Sequence, residues 1–266
     1  MPLDGSAGYG KGTERKQRDM RDYQWFHWQL WLKVTANNDW ASPTYHYVDL
    51  NGGPGEVNGI VGSPILVAQT MAESGSDWHA CVCERDPESM ERLRSCKAAL
   101  PAVVAARIRL FAMDHQEAGD GIIKAIHNRR AGRTPLGLIY ADPNGTELNE
   151  EIETALKITK AFPRMDVLLH MSATTIKRCR TVFGRPSFVE RLEVLKKRHL
   201  LIREPCTAHQ WTFALLTNWA GFPDWASHGF HSSTSPTGSA VLERLNLTTE
   251  ERRRKNAPPA QEGLGL

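Results

Sequence analysis

A regular alternation of short strand-like runs with helical segments, from about residue 45 to residue 198, constrains this chain more than any other feature. Strands are expected at Tyr45–Leu50, His79–Cys83, Arg107–Met113, Leu136–Ala141 and Asp166–Met171. Each is followed by a helical stretch. The first opens at Ser63, read as the cap, with Pro64 at the first helical position, and runs to about Glu73. The others are Ser89–Leu100, about Gly121 to Arg130 with Gly132 beyond its end, Glu150–Ala161, and a segment within Pro186–Arg198. Parallel strands cannot be joined by a tight turn and need a crossover, so this rhythm predicts a parallel sheet covered by helices on both faces. His199–Arg203 and Trp211–Asn218 break it, because the short link between them fits an antiparallel hairpin at the sheet edge.

Before the first strand, residues from Thr13 to about Lys33 repeat Tyr23, Phe26, His27 and Leu30 at helical spacing. Trp25, Trp28 and Trp31 lie on the same segment, as a core stripe or as a platform for stacked bases. The predicted organisation is a disordered leader at 1–12, one α/β domain at 13–223 that includes this helix, and a polar extension at 224–266. In that extension Ser232–Gly238 reads as a linker, Ala240–Leu245 as a short helix, and the charged end as a disordered tail. No run approaches the roughly 20 apolar residues of a membrane span, and the first residues lack the apolar core of a secretory signal. A cytoplasmic protein with no membrane partner is therefore expected. The 5 cysteines form no CxxC pair and meet no histidine at zinc-ligand spacing, so they read as thiols packed as small apolar groups, with no metal.

The chemistry is expected at the strand ends, where open α/β sheets bind their ligands. The first strand delivers Asp49-Leu50-Asn51-Gly52-Gly53-Pro54-Gly55, an acidic residue followed by a glycine-rich loop. Glycines such as Gly53 and Gly55 let a backbone approach a bulky cofactor. Asp49 can orient that loop or reach the cofactor's amino group through water, with Asn51 beside it. A third glycine at the helix start is missing, since Asn58 holds that position, and no GK[ST] follows. Nicotinamide dinucleotide and P-loop readings are thereby set aside. Glu84 at the end of the second strand can accept both hydroxyls of an adenosine ribose, and the residues at 56–62 account for its 29-position distance from Gly55. Asp114 follows the third strand, where it can accept the adenine amine or serve as turn chemistry. The fourth strand ends in Asp142-Pro143-Asn144-Gly145. Asp142, Pro143 and Asn144 are the candidate catalytic residues. The Asp-Pro start resembles the D-P-P-Y loop of amino methyltransferases, with Asn144 and Gly145 at its last two positions. That resemblance implies that the acidic side chain and a prolyl carbonyl hold a target amine with its lone pair aimed at a methyl donor. A bare β-turn is the plain alternative.

These loops, with the expected sheet, resemble Rossmann-like class I methyltransferases. Asp49-Leu50 with Gly53-Pro54-Gly55, then Gly62-Ser63-Pro64, then Glu84, and Asp142-Pro143 with Gly145 are similar in particular to the three-Cys-motif partner family. The likeness runs from about Lys11 to Trp219, with Asn51-Gly52 standing where that family has Phe-Ala. It implies a methyltransferase-like fold, S-adenosyl-L-methionine as cofactor, and a dedicated protein partner, in which the three-Cys motif itself resides. The expected function is S-adenosylmethionine-dependent methyl transfer to an amino group of nucleic acid. A small-molecule or protein acceptor and a non-catalytic binding module are the alternatives. The net charge of +3 does not decide between them. Nine Lys and Arg between 176 and 203 (Lys177, Arg178, Arg180, Arg185, Arg191, Lys196, Lys197, Arg198 and Arg203) form the expected DNA or RNA contact, or else a solvated helix face.

Overall fold

A computed structural model describes residues 13–143, 147–173, 175–176, 188–204, 211–219 and 225–246. Helix α1 (Thr13–Asn37) leads into β1 (Ala41–Asp49), the inner strand against which the site is built. Strand β1 pairs in parallel with β4 (Trp78–Cys83) on one side and β6 (Thr134–Ala141) on the other. Beyond them lie β5 (Ile108–Phe111) and β7 (Asp166–Ser172), also parallel. Strand β8 (His199–Arg203), strand β9 (Trp211–Thr217) and the short β10 (Phe230–Ser232) complete an 8-stranded sheet in the order β10-β8-β9-β7-β6-β1-β4-β5. This is the mostly parallel Rossmann-like α/β architecture expected from the sequence.

The closing hairpin is antiparallel and lies at one end of the sheet, as expected, with one further strand outside it. Strand β9 is its inner member. It inserts antiparallel between β7 and β8, and β10 then pairs antiparallel with the outer side of β8. The reason is legible in WTFALLT, a largely apolar run buried at nearly every position, as an interior strand requires. The residues read as a linker also belong to regular structure: Ser232 ends β10, and Pro236 opens a helix, α8 (Pro236–Asn246). Its Val241, Leu242 and Leu245 pack into the same core as the rest of the sheet.

Alternate strand residues feed two helical layers. Tyr45, Tyr47, Leu138, Tyr140 and Leu168 face α1 and α2 (Ser63–Glu73). Val48, Ile139, Ala141, Val167 and Leu169 face α5 (His115–Arg129), α6 (Leu148–Ala161) and α8. Helix α3 (Pro87–Ala98), a short α4 (Ala102–Ala105) and α7 (Phe188–Glu193) fill the remaining connections. Trp28 and Trp31 of α1 are core residues, whereas Trp25 is 41% exposed. Helix α1 is also tied by polar contacts. His27 meets the Tyr45 hydroxyl at 2.8 Å and Asp166 Oδ2 at 3.1 Å, and Arg203 forms a two-point ion pair with Asp19. The Asp19 pair holds the start of α1 at the carboxyl end of β8, and the His27 bonds hold its middle against β1 and the start of β7. No helix among the described residues is long and apolar enough to cross a membrane.

Candidate functional site

The loop after β1 is held from below. Asp49 is fully buried and accepts three bonds, from the Tyr47 hydroxyl at 2.9 Å, the Ser63 hydroxyl at 2.6 Å and the Asn51 amide at 3.1 Å. Burial pushes its carboxyl up to about 6 despite those bonds. Ser63 is therefore not the cap of α2. Gly62 takes that position, and the Ser63 hydroxyl turns inward to bind Asp49. The stretch at 56–62 folds into a two-strand hairpin, β2 (Glu56–Val57) and β3 (Ile60–Val61). Its turn is Asn58-Gly59, with positive φ at both residues, the arrangement that matches strand twist in a two-residue hairpin. Gly62 N donates to Gly55 O at 2.6 Å and closes the loop.

The loop forms one wall of a cavity of about 310 Å³ at the carboxyl ends of β1, β4, β5 and β6. Asn51, Gly53, Glu84, Asp114 and Asp142 all line it, and Lys16 and Gln17 of α1 line it as well. Asp49, Gly55 and Pro143 are not among the lining residues, and Asn144 lies outside the described residues. Gly52 is needed for packing: a Cβ there would stand 2.5 Å from Val82 Cγ1 and 3.2 Å from the Cys83 carbonyl. At Gly53 the φ of +63 is one that side chains disfavour, yet nothing lies within 4 Å of the point a Cβ would occupy, so the backbone is bare toward open space.

Glu84 joins two loops. Its Oε2 accepts from Gly53 N at 2.7 Å and its Oε1 from Asp86 N at 2.7 Å, so each oxygen keeps a lone pair. Asp114 is the N-cap of α5, accepting from Gln116 N at 2.9 Å, and its other oxygen lies 3.6 Å from Arg85. Arg85 also bonds Glu147, so it spans the mouth between the loops after β4 and β5 and the start of α6.

Asp142 is the most heavily engaged group in the cavity. Lys16 Nζ donates to its Oδ2 at 2.5 Å, and His170 Nδ1 lies 2.7 Å from its Oδ1. Its own amide donates to Asn51 Oδ1 at 3.1 Å, which locks the β6 loop to the β1 loop. Burial alone would raise the Asp142 carboxyl, but the Lys16 and His170 charges overcome it and hold it well below the usual carboxylate range. His170 Nε2 is buried without a partner among the described residues, and its ring packs on Trp211 and Phe213 at 5.4 and 5.5 Å. Below Asn51, Glu151 is fully buried, and burial first, then the Asp142 charge, push its carboxyl well above the ordinary range.

Sequence reasoning does not reach Lys16 or His170. Lys16 is 126 positions from Asp142, with no local signal. His170 carries one, since it stands at the carboxyl end of β7 next to the strand that delivers Asp142. Of the nine cations in the basic segment, five are described. Arg191 bonds Asn149, Lys197 bonds the Pro163 and Met165 carbonyls, and Arg203 pairs with Asp19. Lys196 and Arg198 are next to the start of β8 and away from the cavity. Lys177, Arg178, Arg180 and Arg185 lie outside the described residues. No group of three or more His, Cys, Asp or Glu that could hold a metal occurs among the described residues. Cys81 and Cys83 are buried, and burial pushes the Cys81 thiol up to about 12.

No protein-family model matches the sequence, the three-Cys-motif partner family included, and no curated protein matches it. Solved structures do. A Legionella pneumophila protein is similar at 13% identity over 84% of this chain and 90% of its own, with a TM-score of 0.48. The human methyltransferase 10 domain containing protein is 9% identical over 74% of this chain and 81% of its own, with a TM-score of 0.45. A probable spermidine synthase from Corynebacterium glutamicum is 14% identical over 84% of this chain and 70% of its own, with a TM-score of 0.46.

Proposed function

We propose that this chain is an S-adenosylmethionine-dependent methyltransferase whose acceptor is an amino group. The observation that carries the reading is the convergence, in one cavity, of a bare glycine backbone at Gly53, the Glu84 carboxylate and the ionised Asp142. The residues fit the cofactor. Each Glu84 oxygen retains a lone pair for a ribose hydroxyl, and the volume is in the range of about 300–1,000 Å³ typical of cofactor-sized sites. When bound, S-adenosylmethionine supplies an electrophilic methyl group. Asp142, kept ionised by Lys16 and His170, accepts a hydrogen bond from the acceptor amine and orients its lone pair. Asp114 is assigned to the adenine edge, in competition with its capping bond. Asp49, Asn51 and Gly55 shape the loop. The bonds that Asn51 makes weigh against reading Asn51-Gly52 as the mark of a decayed site.

Nucleic acid as the bearer of the amino group rests on the basic segment, and three of its five described cations are spent inside the fold. A protein or small-molecule amine therefore gains ground. Two measurements decide. Calorimetry with S-adenosylmethionine should show binding that Glu84→Ala weakens by about 2 kcal/mol, through loss of charge-assisted bonds. Glu84→Gln, which keeps the outline, separates this from loop collapse. Labelled methyl transfer in a single turnover, offered to nucleic acids and to amine-bearing peptides, should be lost in Asp142→Ala while cofactor binding persists. Unchanged affinity in a folded Glu84→Ala protein refutes the cofactor assignment.

A further inference from the structure

Both oxygens of Asp142 are already occupied in the free protein. His170 takes Oδ1, and the aliphatic amine of Lys16 takes Oδ2 at 2.5 Å. Each oxygen keeps a second lone pair, so an acceptor amine at Asp142 either sits beside Lys16, takes its place, or is Lys16. The Lys16 side chain retains only 15% of its exposure, and it lines the same cavity as Gly53 and Glu84. A lysine is rarely withdrawn this far from water unless it is paired, so the contact is a defined resting position and not a chance surface pair. The pairing is also fixed from the helix side. Asp19, about one turn beyond Lys16, pairs with Arg203, and His27 farther along α1 bonds Tyr45 and Asp166. Lys16 thus stands where an acceptor amine would stand, held by the carboxylate that would hold it.

We propose that Lys16 is itself a methyl acceptor, and that the class of amine this site takes is the aliphatic primary amine. The proposal rests on reading the cavity as the S-adenosylmethionine site. The Lys16 ammonium first releases a proton to solvent. Its Nζ lone pair then forms the N–CH3 bond as the S–CH3 bond breaks, and that bonding pair stays on sulfur. The products are methylated Lys16, S-adenosylhomocysteine and the released proton. Asp142 positions the nitrogen throughout, and His170 keeps Asp142 turned toward it.

The test uses the full chain with no added acceptor. After incubation with S-adenosylmethionine, peptide mass spectrometry should find methyl groups on Lys16 and not on the exposed Lys33 of the same helix. Lys16→Arg should carry no label there, and Asp142→Asn should lose about tenfold or more through misplacement of the amine. A second readout needs no cofactor. In the free protein, acylation of Lys16 by acetic anhydride should run about tenfold slower than that of Lys33, because a paired, shielded amine is less available. Equal acylation rates overturn the proposal. Calorimetric binding of S-adenosylmethionine with Lys16 unmodified overturns it too, while leaving the cofactor reading intact. No binding at all overturns both.

Discussion

Substituting Gly52 by alanine tests whether the loop that faces the cavity is set by steric contact. The added Cβ would lie 2.5 Å from Val82 Cγ1, 3.2 Å from Cys83 O and 3.3 Å from Leu93 Cδ2. Carbon contacts are comfortable at about 3.5–4.0 Å, so the Val82 methyl must retreat by roughly 1 Å. It cannot do so cheaply. Val82 is fully buried in β4, and a β-branched side chain has little rotamer freedom. Overpacking of this kind costs about 1–3 kcal/mol, which for a chain of this size lowers the melting midpoint by roughly 2–4 °C per kcal/mol. Gly53→Ala gives a contrast of similar size from a different cause. Its Cβ meets nothing within 4 Å, but its φ of +63 costs a side chain about 1–2 kcal/mol. The two separate in a double-mutant cycle with Val82→Ala, read by urea denaturation. Removing the Val82 methyls should cut the Gly52→Ala penalty to within about 0.5 kcal/mol and leave the Gly53→Ala penalty unchanged. If Gly52→Ala costs the same in both backgrounds, contact with Val82 is not what demands glycine there.

Three other outcomes are expected. Glu151 is buried with its carboxyl raised, so its contribution is complete at acid pH and is lost as pH rises through the folded value; Glu151→Gln should therefore outlast wild type in thermal melts at pH 8 and converge with it near pH 4. His46 is drawn down to about 3, first by burial and then by the neighbouring His79 charge, while an unfolded imidazole protonates below about 6.5. Stability tied to His46 is accordingly lost as pH falls from about 6.5 toward 3, by about 1.4 kcal/mol per unit, and urea midpoints of His46→Gln should fall less steeply over that window. Lys197→Met removes donors from the Pro163 and Met165 carbonyls and should cost about 1–2 kcal/mol in urea denaturation; an unchanged midpoint would show that these bonds do not hold the fold.

Strand ends are more legible in the sequence than the neighbours they meet. Asn51, Gly53, Glu84, Asp114 and Asp142 are readable because each follows an apolar run at a strand's carboxyl end, where open α/β sheets bind ligands, and all five line one cavity. Asn58-Gly59 carries a hairpin signal, yet flanking runs of two residues are too short to mark strands, so the stretch reads only as an added loop. Ser63 looks like a cap because a serine before proline usually is one. Its hydroxyl is claimed instead by Asp49, a buried acceptor that local rules do not register. Lys16 cannot be foreseen, since its role exists only once α1 is docked. His170 escapes a search for metal-ligand spacing, because what matters is the strand end it occupies. Strand β10 is three residues long, too short for any periodicity to show.

The placement of β9 bears on the order in which the molecule can be made. Strands β7 and β8 are never hydrogen-bonded to each other; the space between them is filled by residues 211–217, which leave the ribosome after both. Until then the backbone of Asp166–Ser172 offers a row of open donors and acceptors beside an apolar face, the kind of edge that pairs with a second nascent chain. Closing it requires a strand whose residues lie roughly 45 positions downstream of their partners, a slow, non-local event that favours intermolecular encounter when synthesis is crowded. The interval in which residues 173 to 217 are made is therefore the one in which the β7 edge is open to a second chain, and closing it is the task of Trp211–Thr217.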